Sequence, residues 1–487
     1  MNKIIACRRP SPARRVGRAV VAALCAIGLL LPAAAPWAQV RLPELGDTSS
    51  EDLTVGAERR FGEQIMREVR RDPAYLDDAV LLEYLQSLWN PLVVAARQRG
   101  DIGPELDSQF PFEIFLVLDR SVNAFALPGG HVGIHLGLIA MTATRDELAS
   151  VLAHELSHVT QRHIARSMAN AGRQSMLGMV AMVLGMIAAS RSGNADMAQA
   201  AIAGSQGAMI QGQLNFSRDM EREADRIGYG VFSDAGYAVG GMAAMFEKLD
   251  NANRLVDNNA YPYLRSHPLT SDRMSEARAR TAFAPAAAPQ SRHLHVLMQA
   301  RSRVMMDTTV QSLQRQLGQV AGQQPYRERL GVLYGAVLAA ELLREPAAGD
   351  RAYAELQRLT ANDPRADAEL ARALRLLRAE TLLARADATS SAEALRLLSA
   401  APAGERSRVV LLMRAQALLQ LHASDPGPAA TQALRDSTEA LQGWVSEYRN
   451  DAAAWAALAR SADALGLRLR SLRAQAEARA ASGELSA

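Results

Sequence analysis

Two histidines and a glutamate stand at a spacing that suits metal-dependent hydrolysis. His154 and His158 are four residues apart in the stretch VLAHELSH, and Glu155 directly follows the first histidine. At about 100° per residue on a helix, the two imidazoles lie about 40° apart on one face, so both can reach a single ion. Glu155 then projects towards a water on that ion, where a carboxylate can act as a general base.

A histidine pair alone does not complete a catalytic zinc site, because such sites use three protein ligands and leave a fourth position for water. The segment SRDMEREADRIGYG is helical by pattern, and within it Glu221 and Asp225 share a face at four-residue spacing. We predict that Glu221 is the third ligand and that Asp225 accepts a hydrogen bond from a ligand imidazole, which fixes its tautomer. His163, five residues after His158, is expected to point away from the pair.

The expected reaction is hydrolysis of a peptide bond with one Zn²⁺ per chain. Zinc lowers the pKa of its bound water and polarises the scissile carbonyl, while Glu155 takes the water proton and passes it to the leaving amine. A nearby donor stabilises the oxyanion.

The segments around these residues follow recognisable patterns. Residues 144–168 read as one helix that opens with Thr144 and Glu147 at capping-box spacing, so the histidine pair lies well inside it. Residues 112–119 read as a strand, and residues 122–139 read as two extended runs joined at a Gly-Gly turn. The hairpin offers a potential edge strand at 122–128, to which a substrate backbone can add.

The first 38 residues predict a cleaved secretory signal peptide. A basic region is followed by an apolar stretch at 19–31 and by small residues at 33–38. A transmembrane anchor is the alternative, but the apolar stretch is shorter than the ~20 residues that a span needs. Both cysteines, Cys7 and Cys25, lie in this segment, so any metal in the mature chain must be held by His, Asp and Glu.

Removal of the signal peptide changes the charge balance. The whole chain has 54 basic and 51 acidic residues. Six of the basic residues and none of the acidic ones lie in the first 38, so 48 basic against 51 acidic residues leaves −3 for the mature chain. A mildly acidic chain without a basic block gives no reason to expect a nucleic-acid partner.

The composition changes along the chain and predicts an α+β protein with two main parts. A mostly helical zinc metallopeptidase domain with a small β-hairpin or sheet is expected at 39–282, and a linker with a connecting helix at 283–322. Residues 323–487 are Ala-, Leu- and Arg-rich and predict an all-α domain of tetratricopeptide-like helical repeats, although an irregular helical bundle fits the same composition.

Residues 175–189, SMLGMVAMVLGMIAA, form a Met- and Gly-rich apolar run that admits three interpretations. A core helix is favoured. The second interpretation is an adaptable surface that makes peripheral contact with a membrane or an apolar substrate. A transmembrane span is disfavoured because spans need about 20 residues.

Four stretches together resemble the zinc metallopeptidases typified by HtpX and the CAAX-processing proteases. They are NAFALPGG (123–130), HELSHVTQRH (154–163), SRDMEREADRIG (217–228) and SHPLTSDR (266–273). The resemblance implies that His154, His158 and Glu221 are the zinc ligands and that Glu155 is the catalytic base. It also implies that Asp225 is the acid-associated residue of a Glu-x-x-Ala-Asp motif. Asn123 and Arg273 would, by the same resemblance, help to position the substrate.

The resemblance leaves two roles for His267. It is either a fourth zinc ligand that displaces water and latches the enzyme shut, or a donor that stabilises the tetrahedral intermediate. A turn histidine before Pro268 is the simplest alternative.

The resemblance also implies a task in the periplasm: quality control and assembly of outer-membrane β-barrel proteins. The expected partners are unfolded or misassembled outer-membrane proteins and the β-barrel assembly machinery, which the helical repeats would contact as a chaperone-like scaffold. The alternative function is a latched, mainly non-proteolytic assembly chaperone.

Overall fold

The structure is a computed structural model, and it describes residues 54–171, 218–255, 261–281, 293–361, 363–364, 366–399 and 407–484. The predicted signal peptide and the apolar run at 175–189 lie outside these residues.

The first part of the chain alternates helices with four short strands. Its elements up to the histidine pair are α1 (Val55–Arg71), β1 (Tyr75–Leu76), α2 (Ala79–Arg99), α3 (Pro104–Gln109), β2 (Glu113–Val117), β3 (Ala124–Leu127), β4 (His131–His135), α4 (Leu136–Met141) and α5 (Arg145–Thr160). The following elements are α6 (His163–Ala171), α7 (Arg218–Asp234), α8 (Gly240–Leu255), α9 (Tyr263–Ser266) and α10 (Ser271–Thr281).

The four strands form one small mixed sheet in the order β1-β2-β4-β3. Strands β2 and β4 are parallel, whereas β3 pairs antiparallel with β4 through a turn at Gly129 and Gly130, whose φ angles of 79° and 91° suit glycine. As predicted, β3 lies at the edge of the sheet. The second extended run is shorter than expected, because the chain turns into α4 at Leu136.

Helix α5 starts where the sequence places it, and it ends earlier. The Thr144 hydroxyl accepts a hydrogen bond from the Glu147 N–H at 3.1 Å, but the Glu147 carboxylate accepts from the Ala143 N–H at 2.6 Å, one residue before the expected cap. The helix stops at Thr160, and Arg162 adopts a left-handed conformation with φ of 51° before α6 begins. The single helix predicted over 144–168 is therefore two helices.

The described residues after α10 form helices and the turns between them. The elements are α11 (His293–Met306), α12 (Val310–Gly318), a 3₁₀ turn (Gln319–Ala321), α13 (Tyr326–Leu342), α14 (Pro346–Ala361), α15 (Ala368–Ala384), α16 (Ala388–Ser399), α17 (Arg408–Ser424), α18 (Pro428–Glu447), α19 (Ala452–Ala464) and α20 (Arg468–Ala481). Within the segment 323–487, which the sequence predicts to be all-α, α13 packs against α14 and α19 packs against α20. The α+β class with a helical C-terminal region is confirmed.

One continuous hydrophobic core joins the two parts of the chain. It includes Leu152 of α5, Leu297 of α11, Leu333 of α13 and Leu377 of α15, all almost completely buried. Helix α11 lies in the segment 283–322 that the sequence predicts to connect two domains. Because it contributes most of its residues to this core, α11 is part of the core rather than an exposed linker.

Buried ion pairs cross between the same two parts. Arg301 of α11 donates from Nε to Asp78, the N-cap of α2, at 2.8 Å, and its terminal nitrogens bind the Glu380 carboxylate of α15 at 2.7 and 2.8 Å. Arg408, at the start of α17, bridges Asp77 and Asp451 with four hydrogen bonds of 2.7–2.9 Å. Since an unpaired buried charge is costly, each arginine depends on both of its carboxylate partners.

Helix α2 is long and apolar enough to cross a membrane by length and composition alone, and half of its most apolar window is buried inside the protein.

Glu341 of α13 gives a prediction about pH. Burial and the nearby Glu380 carboxylate raise the pKa of Glu341 to about 7, with Arg301 opposing them. The pKa of the same carboxyl group is near 4.3 in an unfolded chain, so between about pH 4.3 and 7 the folded state binds more protons than the unfolded state. The free energy of unfolding therefore falls as the pH rises through about 7. We expect Glu341→Gln to raise the free energy of unfolding by about 1–2 kcal/mol at pH 8 and to change it little at pH 4.5.

Urea denaturation at the two pH values measures this difference. The control is Glu328→Gln, at an exposed position of the same helix, for which no pH-dependent gain is expected. A Glu341→Gln variant whose effect is equal at both pH values would contradict the prediction.

Candidate active site

Four buried donor groups face one point between α5, α7 and the segment after α9. His154, His158, Glu221 and His267 each offer one ligand atom, and these atoms lie within 4.8 Å of one another. Each residue is no more than 2% exposed. Nε2 of His154 is 3.0 Å from Nε2 of His158, which in turn is 3.5 Å from Oε1 of Glu221. Three imidazole nitrogens and a carboxylate oxygen form a donor set that zinc accepts, so these residues fit a divalent cation.

Close packing of two helices brings three of the donors together. Helix α5 carries the histidine pair and α7 carries Glu221. Gly228 of α7 lies against α5, where a Cβ atom would be only 3.1 Å from the Ala153 carbonyl oxygen. The absence of a side chain at this position therefore allows α7 to approach the ligand-bearing turn of α5.

Asp225 lies behind the first histidine ligand. Its Oδ1 is 3.0 Å from Nδ1 of His154, which is the contact expected of a carboxylate that orients an imidazole. Arg273 of α10 donates two hydrogen bonds of 2.6 and 2.8 Å to the Asp225 carboxylate, and its third nitrogen lies 2.8 Å from Glu221. Burial favours the protonated form of Asp225, but His154 and Arg273 outweigh this effect and hold the pKa of Asp225 below its usual range.

Glu155 is completely buried beside the donor cluster. Neither of its carboxylate oxygens has a hydrogen bond of good geometry to the residues that the structure describes, and Nε2 of His267 is 3.5 Å from Oε1. Burial raises the pKa of Glu155, while His267 and His154 oppose this shift. Glu155 is therefore a buried carboxylate beside the donor cluster, the position that a general base of a metal site needs.

His267 reaches the cluster from a short covering segment. It follows α9, and its Nδ1 lies 2.9 Å from Oε1 of Glu221 and 3.3 Å from Nε2 of His154. The ring of Tyr263 packs against the His267 ring with centroids 4.7 Å apart. The Tyr263 N–H donates to the Val122 carbonyl at 3.3 Å, so the segment also contacts the residue before Asn123.

Asn123 lies directly before the edge strand β3. Its carbonyl oxygen accepts from the His135 N–H at 3.1 Å, which ties it to β4. Its side-chain oxygen is buried and accepts no hydrogen bond within the described part of the chain. Arg273 contacts the Asp225 and Glu221 carboxylates and the Pro268 carbonyl, all within the protein, so a direct role of Asn123 or Arg273 towards substrate stays a prediction.

His163 does not point away from the histidine pair, contrary to the expectation from helical spacing. Its Nδ1 lies 2.9 Å from Nδ1 of His158, and its Nε2 lies 3.1 Å from Oε2 of Glu223. Burial lowers the pKa of His163 to about 4, against the opposing effect of Glu223. The expectation was wrong because it extended α5 through residue 163, whereas the left-handed Arg162 starts a new helix and turns the imidazole back towards His158.

Comparisons with known proteins agree with this geometry. Residues 93–281 match the model of peptidase family M48. The chain is 31% identical to a beta-barrel assembly-enhancing protease of Yersinia pestis, over 92% of this chain and 86% of the relative. It is 32% identical to the protein of that name from Escherichia coli K12, over 72% of this chain and 69% of the relative.

The chain belongs to peptidase family M48. A protein of Vibrio cholerae described as a putative beta-barrel assembly-enhancing protease is 37% identical over 53% of this chain, and the match spans 51% of that relative. The M48 match includes every candidate site residue of this chain, from Asn123 to Arg273. Together with the buried donor cluster, it makes the protein a metalloendopeptidase.

Arg273 provides a prediction about the stability of this M48 site. Replacement by Met leaves the buried carboxylates of Asp225 and Glu221 without their cation, so we expect a loss of about 3–5 kcal/mol in the free energy of unfolding. The measurement is urea denaturation in the presence of a chelator, so that no metal contributes. The control is Arg278→Met, on the same helix as Arg273, which breaks an exposed pair with Glu247 of α8 and should cost under about 1 kcal/mol. Equal losses in the two variants would contradict this account.

Proposed function

We propose that the protein is a zinc-dependent endopeptidase of the periplasm that acts in quality control and assembly of outer-membrane β-barrel proteins. The observation that carries the catalytic part is the buried set of His154, His158 and Glu221 with Glu155 beside it. This set supplies three ligands and a general base, the minimum that a zinc peptidase needs.

Each residue has a distinct role in the proposed reaction. His154, His158 and Glu221 would hold the zinc ion, and Asp225 would orient His154 through the 3.0 Å contact to Nδ1. When bound, zinc makes water more acidic and polarises the scissile carbonyl. Glu155, completely buried beside these ligands, would accept the proton of the attacking water and deliver it to the leaving amine.

The edge strand β3 is the proposed binding site for the substrate backbone. Strand β3 has β4 on one side and no strand on the other within the described residues, and it packs against α5. An extended peptide can therefore add to β3 by main-chain hydrogen bonds. We infer that Asn123, directly before this strand, binds the same backbone, which its buried side-chain oxygen without a hydrogen bond in the described residues supports.

The location and the partners are proposed from two further observations. The first 38 residues have the composition of a secretory signal peptide, which supports export to the periplasm. The relatives from Escherichia coli and Yersinia pestis are described as beta-barrel assembly-enhancing proteases. We infer that unfolded or misassembled outer-membrane proteins are substrates, and that the helical C-terminal region contacts the β-barrel assembly machinery as a tetratricopeptide-like, chaperone-like scaffold.

His267 is proposed to act as a fourth ligand that latches the site. Its Nδ1 lies among the other three donor atoms, and four protein ligands are the arrangement of a closed zinc site rather than an open catalytic one. The segment that carries His267 also contacts Val122, next to the proposed substrate strand. Release of this segment would open a ligand position and the approach to β3 together.

Casein cleavage by the mature protein with one equivalent of zinc tests the catalytic proposal and the latch. We expect low activity in the wild type, no activity in Glu155→Gln because the base is lost, and raised activity in His267→Ala because a ligand position is opened. Zinc content, measured by mass spectrometry, should remain near one per chain in Glu155→Gln.

Two outcomes would overturn parts of this proposal. A wild-type protein that binds no stoichiometric zinc, or a Glu155→Gln variant with unchanged proteolysis, would remove the peptidase assignment. A His267→Ala variant as inactive as Glu155→Gln would instead assign His267 to stabilisation of the tetrahedral intermediate.

The closed, fully buried donor set also favours a second candidate function, that of a latched assembly scaffold that is mainly non-proteolytic. In cells that lack the protein, we expect Glu155→Gln to restore part of the assembly of an outer-membrane barrel protein, because that substitution leaves the helical region unchanged. The measurement is the ratio of folded to unfolded barrel protein on a gel without heating. A Glu155→Gln variant that restores nothing would remove support for the scaffold.

A further inference from the structure

The contacts around His158 form a chain of side chains that reaches the protein surface. Nδ1 of His158 meets Nδ1 of His163, Nε2 of His163 meets Oε2 of Glu223, and Arg166 donates to the same oxygen of Glu223 at 2.9 Å. His163 is completely buried, whereas the side chains of Glu223 and Arg166 are 28% and 39% exposed. No other part of the proposed mechanism uses these three residues.

We propose that His163 is a positioning residue that holds His158 in the tautomer needed for metal binding, with Glu223 and Arg166 fixing His163 in turn. The inference rests on the metal site of the proposed function and deepens it, because it assigns the groups that prepare one ligand.

The direction of each hydrogen bond follows from the acceptor at the outer end. The ionised Glu223 carboxylate only accepts, and Arg166 only donates to it, so Nε2 of His163 must carry a proton. In a neutral His163 ring, Nδ1 then keeps its lone pair and accepts the proton of Nδ1 of His158. This leaves the lone pair of His158 on Nε2, the atom that faces His154 and Glu221.

Both histidine ligands therefore have a neighbouring group that orients the imidazole ring, but the group differs between them. Nδ1 of His154 lies 3.0 Å from the Asp225 carboxylate itself, whereas His158 reaches the Glu223 carboxylate through an intervening imidazole. Helix α7 supplies Asp225, Glu223 and the ligand Glu221, so one helix controls the orientation of both imidazoles.

The break between α5 and α6 is what makes this contact possible. Arg162 takes the left-handed conformation there, and its side chain donates at 2.9 Å to Glu58 of α1, which is 3% exposed. Left-handed backbone is costly for a residue with a side chain. The buried ion pair with Glu58 stabilises the turn that directs His163 back to His158.

The experiment compares zinc affinities of apo-protein variants by competition with a chromogenic chelator. Loss of an outer partner of a histidine ligand costs about 10- to 100-fold in metal affinity, and we expect a loss of at least about tenfold in His163→Leu. His163→Asn, whose amide oxygen can still accept near the position of Nδ1, should recover part of the affinity. Glu223→Gln should lower the affinity by a smaller factor, because an amide can still accept weakly from His163.

A spectroscopic measurement separates positioning from a purely structural effect. With Co²⁺ in place of zinc, the visible absorption bands report the ligand geometry, so we expect altered positions or intensities in His163→Leu and Glu223→Gln. The matched control is Asp219→Asn on the same helix, where the carboxylate is 87% exposed and pairs with Arg222. Its zinc affinity and cobalt spectrum should equal those of the wild type.

The outcomes distinguish this inference from the proposed function. A wild-type chain that binds no zinc defeats the proposed function itself. A wild type that binds zinc, with His163→Leu and Glu223→Gln binding it equally tightly and with unchanged cobalt spectra, overturns the positioning role alone. If circular dichroism shows that His163→Leu fails to fold, the test rests on Glu223→Gln at the partly exposed Glu223. Wild-type zinc affinity with an unchanged cobalt spectrum in Glu223→Gln then overturns the inference.

Discussion

The metal site depends on where two protons sit. A neutral histidine can offer the lone pair of Nε2 to a cation only when its proton is on Nδ1, and a buried Nδ1–H needs an acceptor. The contacts of His154 with Asp225 and of His158 with His163 meet this requirement. Both acceptors are held in place by arginines, through Arg273 on one side and through Glu223 with Arg166 on the other. The packing of α7 against α5 is therefore an electrostatic requirement as much as a hydrophobic one.

The helical region contributes to the peptidase fold rather than merely following it. Its first helices complete the core against α5, and Arg301 and Arg408 connect it to the residues that precede and cap α2. At the far end, the Gly483 carbonyl accepts a hydrogen bond from Arg71 of α1, so the last residues return to the first described helix. Displacement of any one of these helices by a partner would act on elements that also support the metal ligands.

Residues with a strong local signal could be predicted from the sequence, and residues placed by tertiary contacts could not. The cap at Thr144, the histidine pair and the edge strand follow from short-range patterns, and the structure contains all three. The turn at Arg162 has no glycine or proline to mark it, so the contact of His163 was missed. The shared core could not be predicted for a similar reason, because tertiary contacts decide which apolar faces of separate helices meet.

The edge strand has a consequence for what the enzyme can discriminate. A site that binds main-chain amides and carbonyls discriminates little between the side chains of its substrates. Binding instead requires a stretch of polypeptide whose main-chain N–H and C=O groups are unpaired, and a strand that is already paired within a folded sheet has none. If substrates add to β3 as proposed, selectivity would depend on how far a substrate has folded, and the folded form of the same sequence would be spared without any recognition motif.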